Sequence, residues 1–152
     1  MSVASPFFEA LIGKAVSHVW RGHGSAIFIE FGKLTPSTIT RKNKTPGESV
    51  GELSLMIGWS WRIERPKSIL GGSWSAVGQW PAMFEKLKGA TVSDVQLFGR
   101  VPEICVSLSN GLRVVSFMTA EGQPEWALIS HGPAIGNLSV RRGALYVEPP
   151  NL

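Results

Sequence analysis

The chain contains little cysteine, little charge and no long apolar run. Cys105 is the only cysteine in 152 residues, so no disulfide can form within the chain and an oxidising compartment is not indicated. The first residues lack the basic start and long apolar stretch of a secretory signal peptide. The apolar runs also fall well short of the roughly 20 residues that span a bilayer. We therefore expect a cytoplasmic protein with no membrane association.

Signatures of catalysis and of metal binding are missing as well. Asp94 is the only aspartate, and the three histidines, His18, His23 and His131, do not have the spacing of a zinc site. The run Gly71–Ser73 resembles a phosphate-binding loop, but the lysine of a P-loop does not follow it. The sequence therefore predicts a protein that is not an enzyme and that holds no metal and no cofactor.

An internal repeat organises what is present. Residues Phe8–Val19 align with Phe84–Val95 at a constant offset of 76, and seven of the twelve positions are identical. Each half opens with a short apolar segment that reads as a helix ending at a glycine, and strands with alternating apolar residues follow. Later in each half a tryptophan, Trp61 or Trp126, begins a short apolar strand.

The repeat predicts an α+β fold that is mostly β. Two similar halves, each a helix followed by antiparallel strands, would form one domain with pseudo-two-fold symmetry. The domain is expected to span residues 1–152, with repeats at about 5–76 and 79–148. Two separate minidomains are the less favoured arrangement, because a half of this size would have only a marginal core of its own.

The tryptophans are concentrated in one part of the chain. Four of the six lie within 22 residues, at Trp59, Trp61, Trp74 and Trp80, which is compatible with a platform that stacks bases or sugars. If residues 53–64 form one strand, however, Trp59 and Trp61 share a face with leucine and isoleucine side chains. We therefore expect both in the core and keep the platform as the alternative.

The basic residues provide a candidate binding site. The formal net charge is +4, and the whole excess lies in the first half of the chain. Short charge runs usually form no more than a solvated surface. As a partner- or anion-binding site, the candidate residues are Arg41, Lys42, Lys44, Arg62 and Arg65.

A weak family resemblance rests on the repeated motif. The pattern Leu-x-Gly-x-x-Val-x-x-Val, an Ile/Val/Phe alternation ending near Asn-Gly-Leu, and then Trp-x-Leu/Ile-x-Ser resemble small uncharacterised bacterial β-rich proteins. Some proteins of that type are immunity proteins of polymorphic-toxin systems. The resemblance covers both halves, and its motifs are turn glycines and core residues, so it implies a fold more than an activity.

The resulting functional prediction is a non-enzymatic protein-binding module, with an immunity protein as its more specific form. A homodimer is also expected, because exposed strand edges are commonly paired in a symmetric dimer. The alternative function is weak nucleic-acid binding through the basic 41–67 region, which would weaken steeply with salt.

Overall fold

The fold is known from a computed structural model that describes residues 2–37, 47–121 and 125–150. Two helices lie at α1 (Ser5–Leu11) and α2 (Trp80–Leu87), and a single 3-10 turn at Val77–Gln79 precedes α2 in the described chain. The strands are β1 (Val16–Arg21), β2 (Ile27–Phe31), β3 (Leu53–Ile57), β4 (Trp61–Glu64), β5 (Ile69–Gly72), β6 (Val92–Phe98), β7 (Glu103–Leu108), β8 (Arg113–Ser116), β9 (Trp126–Ser130), β10 (Asn137–Arg141) and β11 (Ala144–Glu148).

The strands form two antiparallel sheets that each draw on both halves of the chain. The six-stranded sheet has the order β1-β2-β3-β9-β10-β11, and the five-stranded sheet has the order β5-β4-β8-β7-β6. Each half therefore contributes three consecutive strands to one sheet and its following strands to the other. The predicted α+β, mostly β fold is confirmed. The exchange of strands between sheets was not predicted.

The helices end as the sequence predicts. Gly13 and Gly89 follow α1 and α2 with φ angles of 87° and 86°, a left-handed conformation that glycine adopts without steric penalty. Each helix packs against the first strand of the other half, α1 against β6 and α2 against β1. The two glycines thus turn the chain sharply at the two places where the halves meet.

The halves are joined by reciprocal backbone hydrogen bonds. The Gly13 N–H donates to the Val92 carbonyl at 2.8 Å, and the Gly89 N–H donates to the Val16 carbonyl at 2.9 Å. Two more bonds have the same exchanged form, from Val16 N–H to the Ala90 carbonyl and from Val92 N–H to the Lys14 carbonyl. The strand pairs that follow also match, because β1 and β6 each carry a register shift at the equivalent place, between Val16 and His18 and between Val92 and Asp94.

Two buried tryptophans stand at the points where the chain passes between sheets. Trp61 begins β4 and Trp126 begins β9, and both are fully buried. The Trp61 indole N–H donates to the Ser25 carbonyl at 2.7 Å, and that of Trp126 donates to the Pro102 carbonyl at 3.0 Å. Each indole therefore buries a large apolar surface with its one donor satisfied, which is how tryptophan stabilises a core.

The core prediction is confirmed for Trp61 and wrong for Trp59, which is 50% exposed. Residues 53–64 do not form one strand, since β3 ends at Ile57 in the six-stranded sheet and β4 begins at Trp61 in the five-stranded sheet. Trp59 lies in the corner between them, where the alternation of faces along a strand no longer applies.

Among the described residues, no helix is long and apolar enough to cross a membrane.

Candidate functional site

Of the five predicted basic residues, the structure describes Arg62 and Arg65. Arg41, Lys42 and Lys44 lie outside the described residues. Arg62 lies on β4, where its guanidinium forms an ion pair with Glu64 at 2.7 Å and stands 5.8 Å from the Phe117 ring. Arg65 follows β4 and is exposed, and its backbone N–H donates to the Ser68 carbonyl at 2.7 Å.

The outer face of the five-stranded sheet, on which Arg62 lies, carries charges of both signs. Across neighbouring strands, Glu64 pairs in register with Arg113, and Arg62 pairs with Val115, which in turn pairs with Cys105. Burial raises the pKa of the half-buried Cys105 thiol, while nearby Arg113 acts in the opposite direction. A raised pKa reduces the thiolate that acts as a nucleophile, so Cys105 has the character of a structural residue.

A cleft of about 1010 Å³ lies over the outer face of the six-stranded sheet. Its floor includes Met56, Ala127 and Ile129. Met56 pairs with Ala127 across β3 and β9, and these side chains point away from the core because their strand neighbours, such as Leu55 and Leu128, are fully buried on the other face. The cleft therefore offers an apolar floor to solvent.

One wall of the cleft is acidic. Glu103, Glu121 and Glu125 line it, and Met118 lies beside them. Glu103 accepts hydrogen bonds from the Ser116 hydroxyl at 2.9 Å and from the Met118 backbone N–H. These bonds hold the chain after β8 against the start of β7, so the wall is anchored to the five-stranded sheet.

Glu125 is the unusual member of the acidic wall. It is only 9% exposed, and its buried Oε2 has no hydrogen-bond partner in the described chain. Burial raises the pKa of this carboxyl, and the nearby charges of Glu103 and Glu121 raise it further. A buried carboxylate oxygen without a donor is costly, and Glu125 is at the same time a residue of the cleft lining.

The rim of the cleft at its β10–β11 turn is basic. Arg141 and Arg142 line it at the turn between β10 and β11. The Arg141 guanidinium stands 3.8 Å from the centre of the Tyr146 ring, a cation–π arrangement that orients it on the rim. Arg142 and Gly143 both have positive φ, 51° and 76°, the requirement of a tight type I′ hairpin turn.

A second polar cluster lies within the same sheet. Glu30 on β2 is fully buried and accepts hydrogen bonds from the Trp20 indole N–H at 2.8 Å, from the Gly51 backbone N–H at 3.0 Å and from the Ser54 hydroxyl. The Ser54 oxygen also lies 2.9 Å from His131 Nε2. Because Ser54 is itself buried and its proton is directed to Glu30, this is a satisfied structural network and not an accessible nucleophile.

Sequence reasoning missed both carboxylates. Glu30 interrupts the apolar run Ile27–Phe31, and Glu125 directly precedes a core tryptophan. An acidic residue within or beside a buried strand is a signal that the sequence offers, since a charged side chain is almost never fully buried unless it is paired. The residues that donate hydrogen bonds to Glu30 lie far away along the chain, so residue spacing does not reveal them.

Comparison with protein-family models, with curated proteins and with solved structures finds no match to this chain.

Proposed function

We propose that this protein is a non-enzymatic protein-binding module and that its partner docks over the cleft on the six-stranded sheet. The observation that carries the proposal is the cleft itself, which combines an apolar floor with an acidic wall and a basic rim. Apolar centres with charged surroundings are the usual anatomy of a protein interface. Met56 and Met118 suit such a surface, because methionine adapts its shape to a partner.

The arrangement of the ionisable groups favours binding over catalysis. A catalytic site needs a nucleophile, or a proton donor and acceptor pair, within hydrogen-bond reach. Glu103 is already held by Ser116 and Met118, and Cys105 lies on the other sheet with a raised pKa. In the described part of the chain no hydroxyl or thiol forms a hydrogen bond to the free oxygen of Glu125.

Site-directed photocrosslinking tests the docking surface. A photoreactive amino acid at position 129 places the probe in the cleft floor, and the same probe at Gln96, exposed on the five-stranded sheet, is the matched control. We expect one discrete protein adduct from position 129 only. Once its protein component is identified and purified, Ala127→Arg is expected to weaken binding by at least tenfold. Equal adducts from both positions, or none from position 129, would refute the docking surface.

The more specific form of the proposal is an immunity protein whose partner is a toxin. Support comes from the resemblance of the repeated motif and from a cleft that presents charges of both signs to a partner surface. If the crosslinked partner is a toxin that the purified protein inhibits, this form holds. A partner without toxic activity would leave the binding module in place and remove the immunity role.

We also propose that the whole chain is one domain of two repeats related by pseudo-two-fold symmetry. The reciprocal bonds of Gly13 and Gly89 support this arrangement, as does the exchange of strands between the sheets. Unfolding in urea, followed by circular dichroism and by tryptophan fluorescence, should then show one coincident transition. Two separated transitions would contradict a single domain.

A homodimer is the expected assembly, and the edge of the five-stranded sheet supports it. β5 is the outermost strand of that sheet, and Trp74, which follows it, is 88% exposed. Free strand edges with apolar neighbours are surfaces that a second copy covers. Light scattering should give the mass of a dimer for the protein, and a monomer mass at all concentrations would rule the dimer out.

A cytoplasmic location stays a prediction from the sequence.

A further inference from the structure

We propose that the acidic wall of the cleft receives a lysine or arginine side chain of the partner protein, with its cationic head at Glu125 and its aliphatic stem on the methionine-lined floor. This inference rests on the proposed function, because it names what the partner places in the cleft. It starts from the buried Glu125 Oε2, which has no donor among the described residues.

A hydrogen-bonding cation is the ligand that suits this oxygen. Glu103 and Glu121 add negative charge beside Glu125, which disfavours any anion there. A metal ion is a poor fit, because the described residues contain no group of three potential ligands close enough to share one ion. Lysine and arginine donate hydrogen bonds from a charged group, and such charge-assisted bonds are about twice as strong as neutral ones.

The place of Glu125 in the lining of the cleft allows such a contact with its carboxylate. Glu125 is a lining residue of the cleft, and its Oε2 is buried from solvent. The two oxygens of a carboxylate share one negative charge, and rotation about its nearly two-fold terminal torsion only exchanges them, so a cation that contacts the group from the cleft compensates the charge of the whole carboxylate. The backbone itself is held, because the Gly58 N–H donates to the Glu125 carbonyl at 3.0 Å.

The remaining lining explains the choice of a side chain over a small inorganic cation. Met56, Met118 and Ile129 form an apolar surface next to the acidic wall. Lysine and arginine carry three or four methylene groups that pack on such a surface while the charged head reaches a polar group. The floor and the wall together therefore match both parts of one side chain.

The basic rim adds a condition on the partner sequence. Arg141 and Arg142 stand at the mouth of the cleft, and Arg141 is directed onto Tyr146 and not onto Glu125. They repel a strongly basic segment and pair with acidic residues. The occupant is accordingly an isolated lysine or arginine flanked by acidic residues, a pattern of charge that complements the cleft on both sides.

Short blocked peptides test the inference without knowledge of the partner. The probe is acetyl-Glu-Ala-Arg-Ala-Glu-amide, and the matched control replaces arginine with citrulline, which keeps the shape and removes the charge. Binding is followed by chemical-shift changes in nuclear magnetic resonance spectra of the full chain. We expect the arginine peptide to bind with the largest shifts at Glu125, Met118 and Ile129, and the citrulline peptide to bind about tenfold more weakly.

Variants separate the role of Glu125 from a general effect of charge. Glu125→Gln keeps the shape of the side chain and should weaken binding of the arginine peptide about tenfold. The control Glu121→Gln removes one charge at an exposed position of the same wall and should weaken it less than threefold. Arg141→Gln removes a like charge from the rim and should strengthen binding of the arginine side chain when the flanking glutamates of the peptide are replaced by glutamines.

The outcomes distinguish this inference from the proposed function. No binding of the arginine peptide up to about 10 mM, equal binding of the citrulline peptide, or no effect of Glu125→Gln overturns the basic side chain as occupant. If position 129 nevertheless captures one partner and Ala127→Arg weakens that complex, the docking surface stands. If crosslinking fails while the arginine peptide still binds at Glu125, the cleft is a site for basic ligands and the protein-binding function falls.

Discussion

The two corners at which the chain passes from one sheet to the other differ in length and in what they expose. Residues 58–60 connect β3 to β4, whereas residues 117–125 connect β8 to β9. Their backbones are tied in the same way, because the Gly58 N–H donates to the Glu125 carbonyl at 3.0 Å and the Phe117 N–H donates to the Ser60 carbonyl at 3.1 Å. Each corner leads directly into a fully buried tryptophan.

The difference lies in the residues added to the second corner. At the first corner the residue before the tryptophan is a buried serine, Ser60, and at the second it is Glu125. Residues 118–121 of the longer corner line the cleft, together with residues from the turn that leads to β11. The features that line the proposed docking surface are thus additions to a corner geometry that otherwise serves the core alone.

The largest expected effect tests whether the two corners support the core equally. Trp61→Ala and Trp126→Ala should each lower the free energy of unfolding by about 3–5 kcal/mol, because each removes a fully buried indole. Trp61→Phe and Trp126→Phe should lower it by about 1–2 kcal/mol through the lost hydrogen bond and smaller volume. Urea unfolding monitored by circular dichroism measures all four. A Trp126 effect less than half that of Trp61 would show that the corners are not equivalent.

The next largest effect on the free energy of unfolding comes from carboxylates on the outer faces of the two sheets. Glu30→Ala leaves three donors, from Trp20, Gly51 and Ser54, without their acceptor inside the six-stranded sheet. We expect a loss of about 2–4 kcal/mol in the free energy of unfolding.

The matched control for Glu30 is Glu64→Ala on the five-stranded sheet. Glu64 forms an ion pair with Arg62, whose side chain is more than one third exposed, so solvent screening limits the loss to about 0–1 kcal/mol. Similar losses from the two variants would mean that Glu30 does not act as a buried acceptor.

The sequence predicted the local features of the two halves and missed those that depend on how the strands are distributed between the sheets. The helix ends at Gly13 and Gly89 and the strands that begin at Trp61 and Trp126 follow from local patterns, since helix ends and strand starts are encoded in neighbouring residues. The exposure of Trp59 was missed, because alternation assigns a face within a strand but not the point at which the chain leaves its sheet. Glu125 was missed for a related reason, since its burial depends on the cleft and not on its neighbours in sequence.

A smaller effect comes from Glu125, whose pKa is raised mainly by burial. A carboxyl with a raised pKa in the folded state contributes stability that is complete below its unfolded pKa and is lost as the pH rises through its folded pKa. Glu125→Gln should therefore raise the melting temperature near pH 7, by roughly 2–4 °C if about 1 kcal/mol is relieved.

The pH dependence of the Glu125 effect provides the check. Thermal unfolding of the wild type and of Glu125→Gln should give curves that differ most near neutral pH and converge as the wild-type carboxyl becomes protonated. A lower melting temperature for the variant at neutral pH would mean that the carboxylate has a stabilising partner, which would remove the basis for a cationic ligand.

The smallest expected effect on stability comes from Glu52, and its sign is opposite to that expected for Glu125. Its pKa is lowered by a hydrogen bond from the Lys33 backbone N–H and by the Lys14 ammonium, which lies 3.1 Å away. A lowered pKa gives stability that is present above the ordinary value of 4.5 and is lost as the pH falls through the folded pKa. Glu52→Gln should thus slightly lower the melting temperature at neutral pH and converge with the wild type in acid. If Glu52→Gln and Glu125→Gln shifted stability in the same direction at neutral pH, the contrast between a carboxylate with hydrogen-bond donors and a buried carboxylate oxygen without one would not hold.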